Sequence, residues 1–160
     1  MPPTVEAQRN HDELFPGHVS TLARTDPELI EYFDNFAFDE ILRESDLDTR
    51  TRLMVQLAAI IASHAVDEYR AMLGAALTVG VTPVEAKEIV YQAVPYVGMA
   101  KVFDFLHATN DVLTERGIEL PLPGQVHHDA RDPHGAGPRR PGPDHRRGAT
   151  RAALRVGARR

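Results

Sequence analysis

From Asp26 to Gly117 the chain is written in signals that start, pattern and stop helices, and they follow one another so closely that no strand is required. Asp26-Pro27 puts a capping residue before a proline that has no amide hydrogen to lose, opening PELIEYFDNFAF, which should end before the polar turn RESDLD. A short amphipathic helix should follow. Asp48 or Thr49 then caps a helix in which Leu53, Met54, Leu57, Ala58, Ile60 and Ile61 share one face, while Arg50, Arg52 and Gln56 fall elsewhere. A break near Ser63 to Ala65 separates it from a second face of Val66, Tyr69, Met72, Leu73, Ala76 and Leu77 that ends at Gly80; Gly74, Ala75 and Ala76 would admit a neighbouring helix. Thr82, Pro83 and Glu85 spell a capping box. That helix should run to about Ala93, kink at Val94-Pro95 and turn at Gly98 before a last helix carrying Val102, Phe103, Leu106 and Leu113 to Gly117. The expectation is an all-α bundle of about five to six helices over residues 26–120, preceded by an N-terminal extension over 1–25.

Beyond residue 120 the polymer changes. Residues 1–125 carry 20 acidic and 9 basic side chains, whereas residues 126–160 carry 3 Asp and 9 Arg. Arg, Ala, Gly, Pro and His supply 28 of those last 35 residues, too little apolar surface to offset about 1–2 kcal/mol of backbone entropy per residue. Residues 121–160 therefore read as a disordered basic tail. Such a tail is an inert extension, a phosphate-neutralising arm, or the out-of-frame product of a GC-rich gene in which a second tandem helical unit was lost. The acidic balance of the preceding domain opposes nucleic acid as a partner.

With no cysteine in the chain, a disulfide, a thiolate metal site and a dithiol redox pair are all excluded. No metal is expected: His127, His128, His134 and His145 lie in the tail, and zinc needs ligands held in tetrahedral order. The N-terminus lacks the basic-then-apolar order of a signal peptide, and no apolar run approaches the roughly 20 residues that span a bilayer, so no membrane partner and a cytoplasmic location are expected.

TRLMVQLAAIIA, then DEYRAMLGAALTVGVTPVEAKEIVYQAVPYVGMAKVFDFL, resembles the carboxymuconolactone decarboxylase family, with Gly80, Glu85, Glu88, Gln92, Tyr96 and Gly98 in the family's order. The resemblance implies the all-helical fold of alkylhydroperoxidase D. In the peroxide-reducing branch of that fold a Cys-x-x-Cys pair is followed by a histidine. Ala65, Glu68 and Met72 stand at those positions here, so a thiol redox cycle is ruled out. The decarboxylase branch needs no cysteine pair, metal or organic cofactor, and commonly has the acidic residue that Glu68 provides. Its histidine is nevertheless Met72 in this chain, and a thioether transfers no proton.

The resemblance thus implies a decarboxylase or lactone-handling enzyme of aromatic-acid breakdown, acting on a carboxylated lactone or related acid and assembling as a homo-oligomer, trimer or hexamer. The alternative is a catalytically inert binding or assembly module. Loss of CO2 leaves electron density on carbon, so the site needs donors for a lactone oxyanion and an acid for the carbon. Glu68 is the candidate acid, able to hold its proton if apolar side chains such as Met72 enclose it. His64, four residues earlier, would share one helical face with Glu68 and Met72 if the helix continues through Ala65, and would share the proton. Tyr96 is a candidate hydrogen-bond donor to the lactone, and Gln92 with Met72 would line the substrate site. His107, beside Phe103 and Leu106, reads better as a core or surface residue than as a base.

Overall fold

The computed structural model describes residues 2–122, and every regular element among them is helical. In chain order these are α1 (Val5–Leu14), α2 (Leu22–Thr25), α3 (Pro27–Asn35), a π-helical turn (Phe36–Glu40), α4 (Ile41–Arg43), α5 (Thr49–Ser63), α6 (Val66–Thr78), α7 (Pro83–Val97) and α8 (Met99–Glu115). No helix is long and apolar enough to cross a membrane among the described residues. The disorder expected of the tail concerns residues that, beyond Leu122, lie outside the described ones.

α5 and α8 each pack against both α6 and α7. Leu53, Leu57 and Ile61 of α5, Leu73 and Ala76 of α6, Ala86 and Val90 of α7, and Phe105 and Ala108 of α8 are buried together. At the centre, Tyr69 is fully buried edge-on to Phe105, with ring centroids 5.2 Å apart. Its hydroxyl lies 2.8 Å from Thr109 Oγ1, which in turn donates to the Phe105 carbonyl at 2.7 Å. Burial pushes the Tyr69 phenol up to about 12, with the Thr109 contact pulling it slightly back. Because the folded chain favours the neutral phenol, this contribution to stability is whole below pH 10 and is lost as pH rises from about 10 to about 12. A two-unit shift corresponds to roughly 2–3 kcal/mol. Chemical unfolding at stepped alkaline pH should show that loss in the parent protein and not in Tyr69→Phe.

The local signals act as expected in α5 to α8. Asp48 accepts the Thr51 amide at 3.0 Å to open α5. At the start of α7, Thr82 Oγ1 accepts the Glu85 amide and Glu85 Oε2 accepts the Thr82 amide, at 3.2 and 2.9 Å. Arg50 reaches across from α5 to the same carboxylate and, with Thr82, holds Glu85 down at about 2. The kink expected at Val94-Pro95 does not end α7, which continues to Val97. Pro95 lies inside the helix and gives up one amide hydrogen bond in its last turn without ending it, and the stop comes at Gly98, whose φ of +93° favours a residue without Cβ.

Two expectations about organisation are corrected. The first 25 residues are not a mere extension: α1 packs against the π turn, α3 and α6, burying Ala7 and Leu14 in the common core. Leu122, assigned to the tail, is buried too. Ala76 is fully enclosed by its own chain. Exposed apolar side chains lie instead along the α3 to α4 stretch, at Leu29, Tyr32, Phe33, Phe36 and Ile41.

The N-terminal helix is fastened to the π turn by polar bonds. Asp39, only 6% exposed, accepts the Thr4 hydroxyl at 2.7 Å and pairs with Arg43 at 2.8 Å. Asn10 Nδ2 donates to the Phe38 carbonyl at 2.7 Å, satisfying an oxygen within the π-helical register. Asp39→Ala would leave both partners without their acceptor and should cost about 2 kcal/mol in urea unfolding. A change below the measurement error would show that the clasp contributes nothing.

Candidate active site

One large cavity, about 1130 Å³, lies between the α5–α6 pair and the N-terminal layer of α1 to α3. α5 contributes Arg52, Gln56, Ala59 and Ile60, and α6 contributes Glu68, Ala71, Met72, Ala75 and Thr78. Within each set the spacing of three or four residues makes a single helical face. The opposite wall is apolar and aromatic, with Phe15, Phe33 and Phe38 prominent. Phe38 stands edge-on to Phe15 and Phe33 at 6.2 and 6.0 Å.

The cavity carries the charged Glu31, Asp34, Arg52, Glu68 and Arg116 beside the neutral polar Gln8, Ser20, Gln56 and Thr78 and two histidines. Glu68 is exposed at its rim while the neighbouring Met72 side is buried, so the deep apolar enclosure expected around the carboxylate is absent. Arg116, just past α8, is laid along α6 by donating to the Gly74 carbonyl at 2.7 Å and to Thr78 Oγ1 at 3.3 Å. A Cβ on Gly74 would meet that guanidinium at 3.5 Å, an ordinary van der Waals contact, so the close approach of a neighbouring helix expected here is not what the glycine serves. Arg52 has no ion-pair or hydrogen-bond partner among the described residues and is half-buried, leaving a guanidinium available to an anion. From the N-terminal side, His11, His18 and Asp34 complete the set. Burial pushes Asp34 above the ordinary carboxylate range, and the nearby His11 and His18 pull it the other way.

Of the residues expected from the sequence, the fold brings Glu68 and Met72 onto the cavity and leaves His64, Tyr96 and Gln92 off it. The common face of His64, Glu68 and Met72 does not form, because the helix breaks: His64 caps α5 in the left-handed conformation, φ 62°, and α6 begins only at Val66. Its Nε2 lies 3.5 Å from Lys101 Nζ instead. Tyr96 is 91% exposed in the last turn of α7, and Gln92 is also exposed. His107 is exposed on α8. Since a left-handed cap favours glycine, His64→Gly should raise stability by up to about 1 kcal/mol and leave activity unchanged. Loss of activity in that variant would restore His64 to the site.

Arg52, Arg116, His11 and His18 were not found from the sequence. Only the paired histidines of HDELFPGH gave any local sign, and that segment carries no strong apolar periodicity.

The carboxymuconolactone decarboxylase family pattern matches residues 27–111, which takes in both helical walls but stops short of α1 and of Arg116. The chain is similar to a 4-carboxymuconolactone decarboxylase of Acinetobacter baylyi, with 30% identity over 98 residues covering 61% of this chain and 71% of that protein.

Proposed function

From the chain's membership of the carboxymuconolactone decarboxylase family, we propose that it releases CO2 from a carboxylated muconolactone or a closely related acid in the cavity lined by Glu68 and Met72. The observation that carries this reading is the combination, on one cavity, of an apolar aromatic wall, the carboxylate of Glu68 at the rim and the guanidinium of Arg52, which has no ion-pair partner among the described residues. A carboxylated muconolactone keeps two carboxylates, of which one leaves and one stays. Arg52 would hold the one that stays, placing the other against the apolar wall, where loss of charge is favoured.

As the carbon–carboxylate bond breaks, its electron pair moves into the conjugated lactone and CO2 departs. Glu68, exposed at the rim, relays a proton from water to the ring carbon, so one proton is consumed for each CO2 released. The guanidinium of Arg116 adds positive potential to the wall while charge develops. Protein groups alone supply this chemistry, and no cofactor is needed. We further propose that the protein acts in the cytoplasm as a homo-oligomer, burying the apolar side chains exposed along α3 to α4.

A second reading rests on the family resemblance, which puts Met72 where the decarboxylases carry histidine: the cavity binds its acid without turning it over. The two are separated by following the conversion of 4-carboxymuconolactone to enol-lactone by NMR with the purified full chain. Catalytic conversion supports the enzyme. Saturable binding without conversion, together with conversion by Met72→His, would support the silent binder.

A further inference from the structure

Outside the matched residues, α1 and the turn after it bring two imidazoles onto the cavity. His11 is held among rings, 5.4 Å from Phe15, 5.7 Å from His18 and 5.2 Å edge-on to Phe38 by centroid distance. His18 lies at the exposed edge of the same cluster, its ring tilted 53° to that of Phe15 with centroids 6.0 Å apart. This arrangement leaves the nitrogens of both rings to find partners in the cavity or in water. Among the described residues one hydrogen-bond contact is drawn from the pair, His11 Nδ1 to Asp12 Oδ1 at 3.3 Å.

The charges around the pair set what it must do. Asp12 faces it from α1, and Glu31 and Asp34 line the cavity from α3. Glu68 lines it from α6, Arg52 from α5 and Arg116 from the end of α8. Three carboxylates and two guanidiniums line the cavity, so with neutral imidazoles it has no surplus positive charge to offer a ligand carrying carboxylates. Imidazolium would supply it. Imidazole is the side chain that changes charge near neutral pH, and a ligand that binds only the charged form draws protons with it.

Building on the reading of the cavity as a carboxylated-lactone site, we infer that His11 and His18 form its cationic wall: they take up a proton when a lactone acid binds and hold the lactone oxygen that gains charge as CO2 leaves. The missing histidine at Met72 is thereby replaced from a different element of the fold. During the reaction the electron pair of the breaking bond runs through the ring to that oxygen. The imidazolium hydrogen bonds stabilise it there, the pair returns to carbon as Glu68 delivers its proton, and the imidazoles stay protonated until the product departs.

The test uses muconolactone, which retains one carboxylate but lacks the one that leaves, with the full chain at pH 7. Calorimetric titration in buffers of different ionisation enthalpy should show uptake of about one proton per ligand bound. Uptake should vanish in His11→Gln/His18→Gln, with affinity lower by about tenfold, and persist in Glu68→Gln. Absence of binding, absence of uptake, or uptake unchanged in the double variant would each overturn the inference. Should the double variant fail to fold, ring-labelled histidine NMR of the parent chain gives the same answer: the His11 and His18 signals must move with ligand, and stationary signals overturn the inference. Turnover of 4-carboxymuconolactone is scored separately. Proton uptake without turnover keeps the histidine wall and removes the decarboxylase reading; turnover with uptake unaltered in the double variant does the reverse.

Discussion

Glu68→Gln should lower turnover of a carboxylated muconolactone by roughly 100-fold or more, with little change in stability. The amide keeps the shape and rim position of the side chain but has no proton to give. Because Glu68 is exposed and lies in no ion pair or hydrogen bond of the described structure, nothing in the fold depends on its charge beyond its place in the first turn of α6. KM should change much less than kcat, since Arg52 rather than Glu68 is assigned to the carboxylate that remains. Full activity of the variant would remove Glu68 from the chemistry; a loss confined to KM would make it a binding group instead.

Phe105→Ala should cost about 3–5 kcal/mol, the largest effect expected of any single truncation in this core. Phe105 is 1% exposed, and its ring supports Tyr69 edge-on at the junction of α6 and α8. Removing it opens a void between helices whose backbones are held by capping and cannot easily collapse, and it frees the tyrosine whose hydroxyl bonds to Thr109. Domains of this size have about 5–15 kcal/mol of stability in all, so the variant should unfold at much lower urea with an unchanged slope. A loss under 1 kcal/mol would mean that the core rearranges to fill the space.

The helices that surround Tyr69 were legible because each is specified locally. Asp48, the Thr82–Glu85 box, Gly80, Gly98 and Gly117 act within a few residues of themselves, and the apolar faces of α5, α6 and α8 repeat at helical spacing. What escaped were features set by distant packing. α1 is a polar helix that buries little more than Ala7 and Leu14, so its pattern is too sparse to distinguish it from an extension. The π turn at Phe36–Glu40 shifts the hydrogen-bond register without altering composition, and it is stabilised by Asn10, 28 residues away from Phe38.

The candidate site divides in the same way. Glu68 and Met72 line the cavity together because they lie one turn apart on one helix, the helix that the family resemblance marks. His64 falls away from them at a single left-handed residue, since four-residue spacing makes a common face only where the helix is unbroken. Tyr96 sits beside the proline and glycine of a helix end, where the last turn directs its ring to solvent. Arg52 was placed off the apolar face of α5, correctly as regards the core; that this other face borders a cavity depends on α1 to α3 covering it.

The most direct test of the central claim is release of labelled CO2 from 4-carboxymuconolactone carrying carbon-13 in the carboxyl that leaves, measured with the dialysed full chain. Many molecules of labelled CO2 should form per chain, at a rate that falls sharply in Glu68→Gln. Labelled CO2 no faster than in buffer, while the lactone demonstrably occupies the cavity, would contradict it.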